Sequence, residues 1–237
     1  MKKAIILAAG RGIRLRNYYT KPKCLLNFKN ENISIIERLC KILKKRNICN
    51  ITVVTGYKKK LIQKTLGKKV KYVHFSNYSK CNNLQSLLAA KNEIKGSFLC
   101  FFSDLIFDER ILDKLLKKKS DFCLAVDCKK VLKGTMRIKK NKKEIISIGN
   151  HIIPDDGDGN FIGISKFSKK GANILRKYLI DEKKNRDDYY TVVFNKMVID
   201  GKIINFFDCK NYFWKEIDTY KDLYDMKSII EKNLFKY

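Results

Sequence analysis

Ala4-Ile5-Ile6-Leu7-Ala8 is an unbroken apolar run that ends at Gly10-Arg11-Gly12. A strand with one wet face alternates apolar and polar residues. An unbroken run leaves no wet face, so this segment predicts a strand covered on both sides, as in a parallel sheet between layers of helix. The following segments meet that demand. Ser34 and Glu37 predict a capping box, and Ile35, Ile36, Leu39, Cys40 and Leu43 then share one helical stripe, with Lys44, Lys45 and Arg46 at the end that favours cations. Strands are expected at about 50–55, 71–75, 98–103 and 122–126, separated by helices at about 61–66, 84–92 and 110–118. This alternation predicts an α/β fold built on a doubly wound, mostly parallel sheet.

From Val131 the pieces shorten. β-like segments at 134–140, 144–148 and 161–167 surround the turn-rich Pro154-Asp155-Asp156-Gly157-Asp158-Gly159, which lacks the spacing and final glutamate of a calcium loop. Helices are expected at 169–181 and 189–200, a strand at 202–207 and a last helix from about Thr219. No repeat or linker interrupts the chain, so residues 1–237 read as one domain whose second half is an α+β subregion.

Charge admits several partners. Lys and Arg outnumber Asp and Glu by 52 to 24, a formal +28, which suits nucleic acid, anionic lipid or a polyanionic substrate. The lysines are dispersed among Asn, Ile, Phe and Tyr with no long basic block, as base-composition drift leaves them on solvated surfaces. No aromatic-basic recognition motif supports nucleic-acid binding. The cysteines form no Cys-x-x-Cys pair and no zinc spacing with histidine, and read as small buried hydrophobes in a reducing compartment. The apolar run after Met1-Lys2-Lys3 is shorter than a signal sequence needs, and no run reaches the about 18 residues of a membrane span. A cytoplasmic location is expected.

Open α/β sheets bind ligands beyond the carboxyl ends of their strands, which directs attention to the loop from Ala9 to Arg16. Gly10 and Gly12 let main-chain amides approach an anion, Arg14 offers a planar fork of donors, and Lys21-Pro22-Lys23 can fold further cations over the same strand end. Leu15 occupies the place of the third glycine of a dinucleotide fingerprint, and the Walker pattern is absent. The competing reading is a glycine turn without chemistry.

Leu7-Ala8-Ala9-Gly10-x-Gly12-x-Arg14-Leu15 followed by Lys21-Pro22-Lys23 resembles the N-terminal motif of nucleotidyltransferases with a glycosyltransferase-A-like fold. Tyr78-x-x-x-Asn82-Asn83-Leu84-x-Ser86, Asp104 and Glu216-Ile217-Asp218 extend the resemblance to small cytidylyltransferases acting on phosphocholine, 2-aminoethylphosphonate or phosphoglutamine, some of which modify surface polysaccharides. The resemblance implies a nucleotide-binding half at about 1–130 and an acceptor-side half at about 131–237. It implies transfer of CMP from CTP to a small phosphorylated or phosphonate acceptor with release of pyrophosphate.

By that resemblance Gly10, Gly12, Arg14 and Lys23 hold the triphosphate, and Lys23, at the α-phosphate, and Arg14 are the catalytic cations. Main chain near Leu7, Ala8 and Ala9 reads the base, Asn82, Asn83 and Ser86 face the nucleotide, and Asp104 and Asp218 bind Mg²⁺. Asp104 could instead be a turn or capping aspartate, Asp218 could cap the last helix, and Asn82 and Asn83 could cap the helix they begin. Tyr189, Tyr190 and Glu216 match the acceptor side. A tryptophan of the phosphocholine enzymes is replaced near Thr135, and Arg137 beside it would favour an acceptor with a second anionic group; a solvated strand arginine is the alternative. Trp214 reads equally as pocket border or core anchor. His74 and His151 lack any nucleophile-base pattern. A sugar-1-phosphate nucleotidylyltransferase and a basic nucleic-acid-binding protein are the rival functions, and a homodimer is an admissible assembly.

Overall fold

The computed structural model describes residues 1–27 and 33–231. The apolar run forms β1 (Lys3–Ala8), which pairs in parallel with β2 (Asn50–Thr55); β3 (Lys71–His74) continues the sheet beyond β2, and β4 (Phe98–Phe102) flanks β1 on the other side. β1 is unbroken because it feeds two cores. Ala4, Ile6 and Ala8 join one cluster, Ile5, Leu7 and Ala9 the other. The first core is covered by α1 (Ile35–Lys45), α2 (Lys59–Leu66) and, after a short strand β5 (Leu105–Phe107), α4 (Glu109–Lys117), while α3 (Asn83–Ala89) packs on the second. The predicted capping box is present: Glu37 N–H donates to Ser34 Oγ, and Ser34 N–H to the Glu37 carboxylate at 2.9 Å.

The second half completes the same sheet. β6 (Phe122–Asp127) is followed by the hairpin β7 (Met136–Lys140) and β8 (Ile145–Gly149), then by β9 (Gly159–Phe167), buried throughout. β9 runs antiparallel between β4 and β6, and Phe167 stands opposite both Phe98 and Phe122, its ring centroid 4.6 Å from that of Phe98. α5 (Lys169–Asp181) and α6 (Val192–Ile199) cover the second core with α3, and β10 (Asn205–Asp208) closes the order β10-β6-β9-β4-β1-β2-β3. The sheet is mostly parallel, as expected. The second half of the chain is interleaved with the first through β9 and β10.

The sequence reading missed two short strands, β5 and its partner. β11 (Trp214–Glu216) pairs antiparallel with β5, a two-stranded sheet just ahead of α7 (Tyr220–Glu231). The Asp-rich turn is an ordinary one, with Asp158 accepting from Lys140 N–H at 2.8 Å. Cys24, Cys40, Cys100, Cys123 and Cys209 are buried, whereas Cys49 is exposed. Among the described residues no helix is long and apolar enough to cross a membrane.

Candidate active site

Beyond β1 the chain turns through Gly12 in the left-handed region, φ 59°, into a single tight turn, Ile13–Leu15. Leu15 is buried there, and Arg14 is left facing out. A Cβ on Gly12 would lie 2.7 Å from Cγ of Lys23, so the missing side chain is the passage through which the lysine stem runs. Gly10 has open space instead, where a ligand can approach main chain. Pro22, with extended ψ, leads into the turn Lys23–Leu25, anchored by buried Cys24. The two motif segments are thus one interlocked structure.

The Lys23 ammonium lies 2.5 Å from an Asp104 carboxylate oxygen and 2.9 Å from one of Asp218. Arg14 pairs with the other Asp218 oxygen. Burial alone would lower the pKa of Lys23, but Asp104 and Asp218 outweigh it and hold the value above that of a free lysine. Glu216 completes the cluster. Burial pushes its carboxyl up to about 8, helped by Asp104 and Asp218 and opposed by Lys23 and Arg14. The β5–β11 pair creates this proximity: Leu105 stands opposite Glu216, and Ile217 N–H donates to the Asp104 carbonyl at 3.0 Å.

Capping explains neither aspartate. Asp108 caps α4. At α7, Thr219 N–H and Asp218 N–H both donate to Asp222, and Asp222 N–H returns a bond to Thr219 Oγ1. The Asp218 carboxylate is left to Lys23 and Arg14. The asparagines do bind main chain: Asn82 Oδ1 accepts from Asn83 N–H, its amide donates to the Asp187 carbonyl at 3.1 Å, and Asn83 Oδ1 accepts from Tyr190 N–H.

Leu7, Ala8, Ala9, Gly10, Gly12, Arg14, Lys23, Asn82, Asn83, Ser86, Asp104, Tyr189, Glu216 and Asp218 line a single cavity of about 580 Å³. Two expected acceptor residues lie outside its lining. Arg137 is buried in the β7–β8 region, where its guanidinium donates to the Ile152, Asn150 and Leu132 carbonyls and supports the loops that carry them. Tyr190 is fully buried among Phe102, Phe161 and Phe194, its hydroxyl 2.8 Å from Ser165. Trp214 is a core anchor whose indole N–H donates to Asp127. Lys80, Arg186 and Asp187, which the sequence reading passed over, do line the cavity.

The donor set fits a hard divalent cation. Asp104 and Asp218 already converge on one cationic atom, Lys23 Nζ, and carboxylate oxygens are what Mg²⁺ prefers. Among the described residues no group of three or more His, Cys, Asp or Glu side chains is disposed to hold a metal, so phosphate and water oxygens would complete its shell, as is usual for Mg²⁺.

Comparison with known proteins identifies the family and the fold. The family described as MobA-like NTP transferase domain matches residues 4–132. Choline-phosphate cytidylyltransferase of Streptococcus pneumoniae is 30% identical over 128 residues, 53% of this chain and 55% of that protein. The chain spans about half the length of the curated relatives it matches. Two solved structures superpose with TM-scores of 0.79: the inositol-1-phosphate CTP transferase from T. maritima, at 23% identity over 98% of this chain and 97% of that one, and the CTP:phosphocholine cytidylyltransferase from S. pneumoniae, at 21% over 97% and 100%. The fold is the Rossmann-like, glycosyltransferase-A-like fold expected from the sequence.

Proposed function

The chain belongs to the MobA-like NTP transferase family, and from that premise we propose that it is a Mg²⁺-dependent cytidylyltransferase, moving CMP from CTP to the phosphate or phosphonate of a small amino-type acceptor. The observation that carries this reading is the Lys23 ammonium clamped between Asp104 and Asp218 at the mouth of the glycine turn. Cytidylyltransfer is supported by the likeness to the S. pneumoniae choline-phosphate cytidylyltransferase and the T. maritima inositol-1-phosphate CTP transferase.

An acceptor phosphate oxygen forms a bond to the α-phosphorus of CTP, and the bond from that phosphorus to the bridging oxygen breaks, sending the electron pair out with pyrophosphate. Such transfer depends on positioning and charge neutralisation. The Gly10–Gly12 main chain and Arg14 bind the triphosphate, and Lys23 places its ammonium at the α-phosphate. Main-chain groups of Leu7, Ala8 and Ala9 face the base, where cytosine offers an amino donor in place of the carbonyl of uracil. Asp104 and Asp218 would hold Mg²⁺, which would supply charge neutralisation as pyrophosphate departs.

The test is pyrophosphate release with Mg²⁺ across the nucleoside triphosphates, each paired with phosphocholine, phosphoethanolamine, 2-aminoethylphosphonate, phosphoglutamine or a sugar 1-phosphate. Release requiring CTP and an amino-type acceptor is expected. Release with a sugar 1-phosphate alone overturns the acceptor class, and salt-sensitive RNA binding without release overturns the enzyme reading.

A further inference from the structure

We propose, on the basis of the transferase reading above, that Arg186 selects acceptors carrying a carboxylate beside the phosphate or phosphonate that receives CMP. Arg186 lies between α5 and α6 and lines the same cavity as Lys23 and Glu216. Its guanidinium makes no hydrogen bond or ion pair among the described residues, whereas Arg14 is paired with Asp218 and Arg137 is engaged by three carbonyls.

The backbone beneath that free fork is fixed from α3. Asn82 N–H donates to the Arg186 carbonyl at 2.7 Å, and the Asn82 amide holds the Asp187 carbonyl. The Gln85 amide reaches the carbonyls of Glu182, at 3.3 Å, Lys183, at 3.2 Å, and Asn185. A planar donor fork on a held main chain can meet a carboxylate in two-point geometry, the remaining cost being the ordering of one exposed side chain. An acceptor whose only other charge is an ammonium gains nothing from that fork. Asp187, beside it on the cavity wall, offers the opposite charge to an amino group, so the pair suits an amino-acid-type acceptor. The triphosphate cations Arg14 and Lys23 come from the first half of the chain, while Arg186 enters with Tyr189 from the second.

Phosphoserine and phosphoethanolamine differ only by a carboxylate and are the probes. With the full chain, CTP and Mg²⁺, kcat/KM is measured by pyrophosphate release, and binding of each probe by calorimetry. The wild type is expected to favour phosphoserine about tenfold or more. Arg186→Ala should collapse that ratio with the KM for CTP unchanged, and Arg186→Lys should restore part of it. Gln85→Ala, which loosens the segment, should weaken the preference without abolishing turnover. An equal ratio in wild type and Arg186→Ala overturns the proposal, as does an effect confined to the KM for CTP. Arg186-dependent preference in binding without any turnover leaves Arg186 its role and sinks the transferase reading. Turnover without preference does the reverse, and absence of both overturns both.

Discussion

Where α1 meets α4, Arg46 donates to both carboxylate oxygens of Asp113, at 2.6 and 2.8 Å, and to Glu109 at 3.0 Å, with Lys45 also near Glu109. At the cavity, Lys23 and Arg14 face Asp104, Glu216 and Asp218. The first cluster is matched in charge and joins two helices. The second carries surplus carboxylate on a cavity wall, and Glu216 meets the surplus by keeping its proton up to about 8. A matched cluster is complete when the chain folds, whereas one with surplus charge at an opening is completed by something that binds.

The largest expected effect follows from neutralising the surplus. Asp104→Asn should lower turnover by about 10²-fold or more, because charge stabilisation at a transferring phosphoryl group is lost. The melting temperature should change little, since Lys23 keeps its ion pair with Asp218 and Glu216 can give up its proton in place of the lost charge. Pyrophosphate release and thermal melts on the same sample decide it. Lower stability with normal turnover would make Asp104 a staple like Asp113, and the distinction between the clusters would collapse.

Gly12→Ala attacks the passage for Lys23. The left-handed φ costs a residue with a side chain about 1–2 kcal/mol, and the new methyl would meet the lysine stem at 2.7 Å. A displaced ammonium should lower kcat about tenfold or more, with a smaller change in the KM for CTP. Unchanged kcat in the folded variant would show that Lys23 reaches its place by another route.

What the sequence revealed depended on how local each signal was. The run Ala4–Ala8 and the Ser34–Glu37 cap are complete within a few residues, and both were readable as physics alone. Leu105–Phe107 and Trp214–Glu216 are too short for any period, and only pairing across the fold makes them strands. Asp104 and Asp218, whose proximity depends on that pairing, were therefore reached through family resemblance. The position of Arg137 outside the cavity lining was not legible, because its partners are main-chain carbonyls, which leave no mark in residue identity. Arg186 sits in a charge-dense stretch from Glu182 to Asp188 that reads as a solvated connection until α3 is seen holding it.

Removing the structural arginines should give the converse of the cavity variants. Arg137→Ala strips donors from three main-chain carbonyls, that of Ile152 in a buried residue, and should cost about 1–3 kcal/mol in urea melts, leaving the acceptor KM unmoved. Arg46→Ala should cost about 1–2 kcal/mol for the lost two-point pair, again with normal turnover per folded molecule. A raised acceptor KM in Arg137→Ala would return that residue to the acceptor side.

The smallest effect, and the one that compares the clusters in a single measurement, is the pH dependence of stability without ligand. The native pKa of Asp113 is lowered from 3.8, first by its hydrogen bonds with Arg46, so the stability it adds is present above its unfolded value and disappears as pH falls through the native one. Glu216 has the opposite sign. Its value rises from 4.5 to about 8, so its contribution is fully present below 4.5 and is lost as pH climbs through 8. Urea melts between about pH 3 and pH 9 should therefore show an acid limb that Asp113→Asn flattens and an alkaline limb that Glu216→Gln flattens, each leaving the other in place. If Glu216→Gln leaves the alkaline limb unchanged, the cavity carboxylates are as well matched as those around Arg46, and charge surplus does not separate the two clusters.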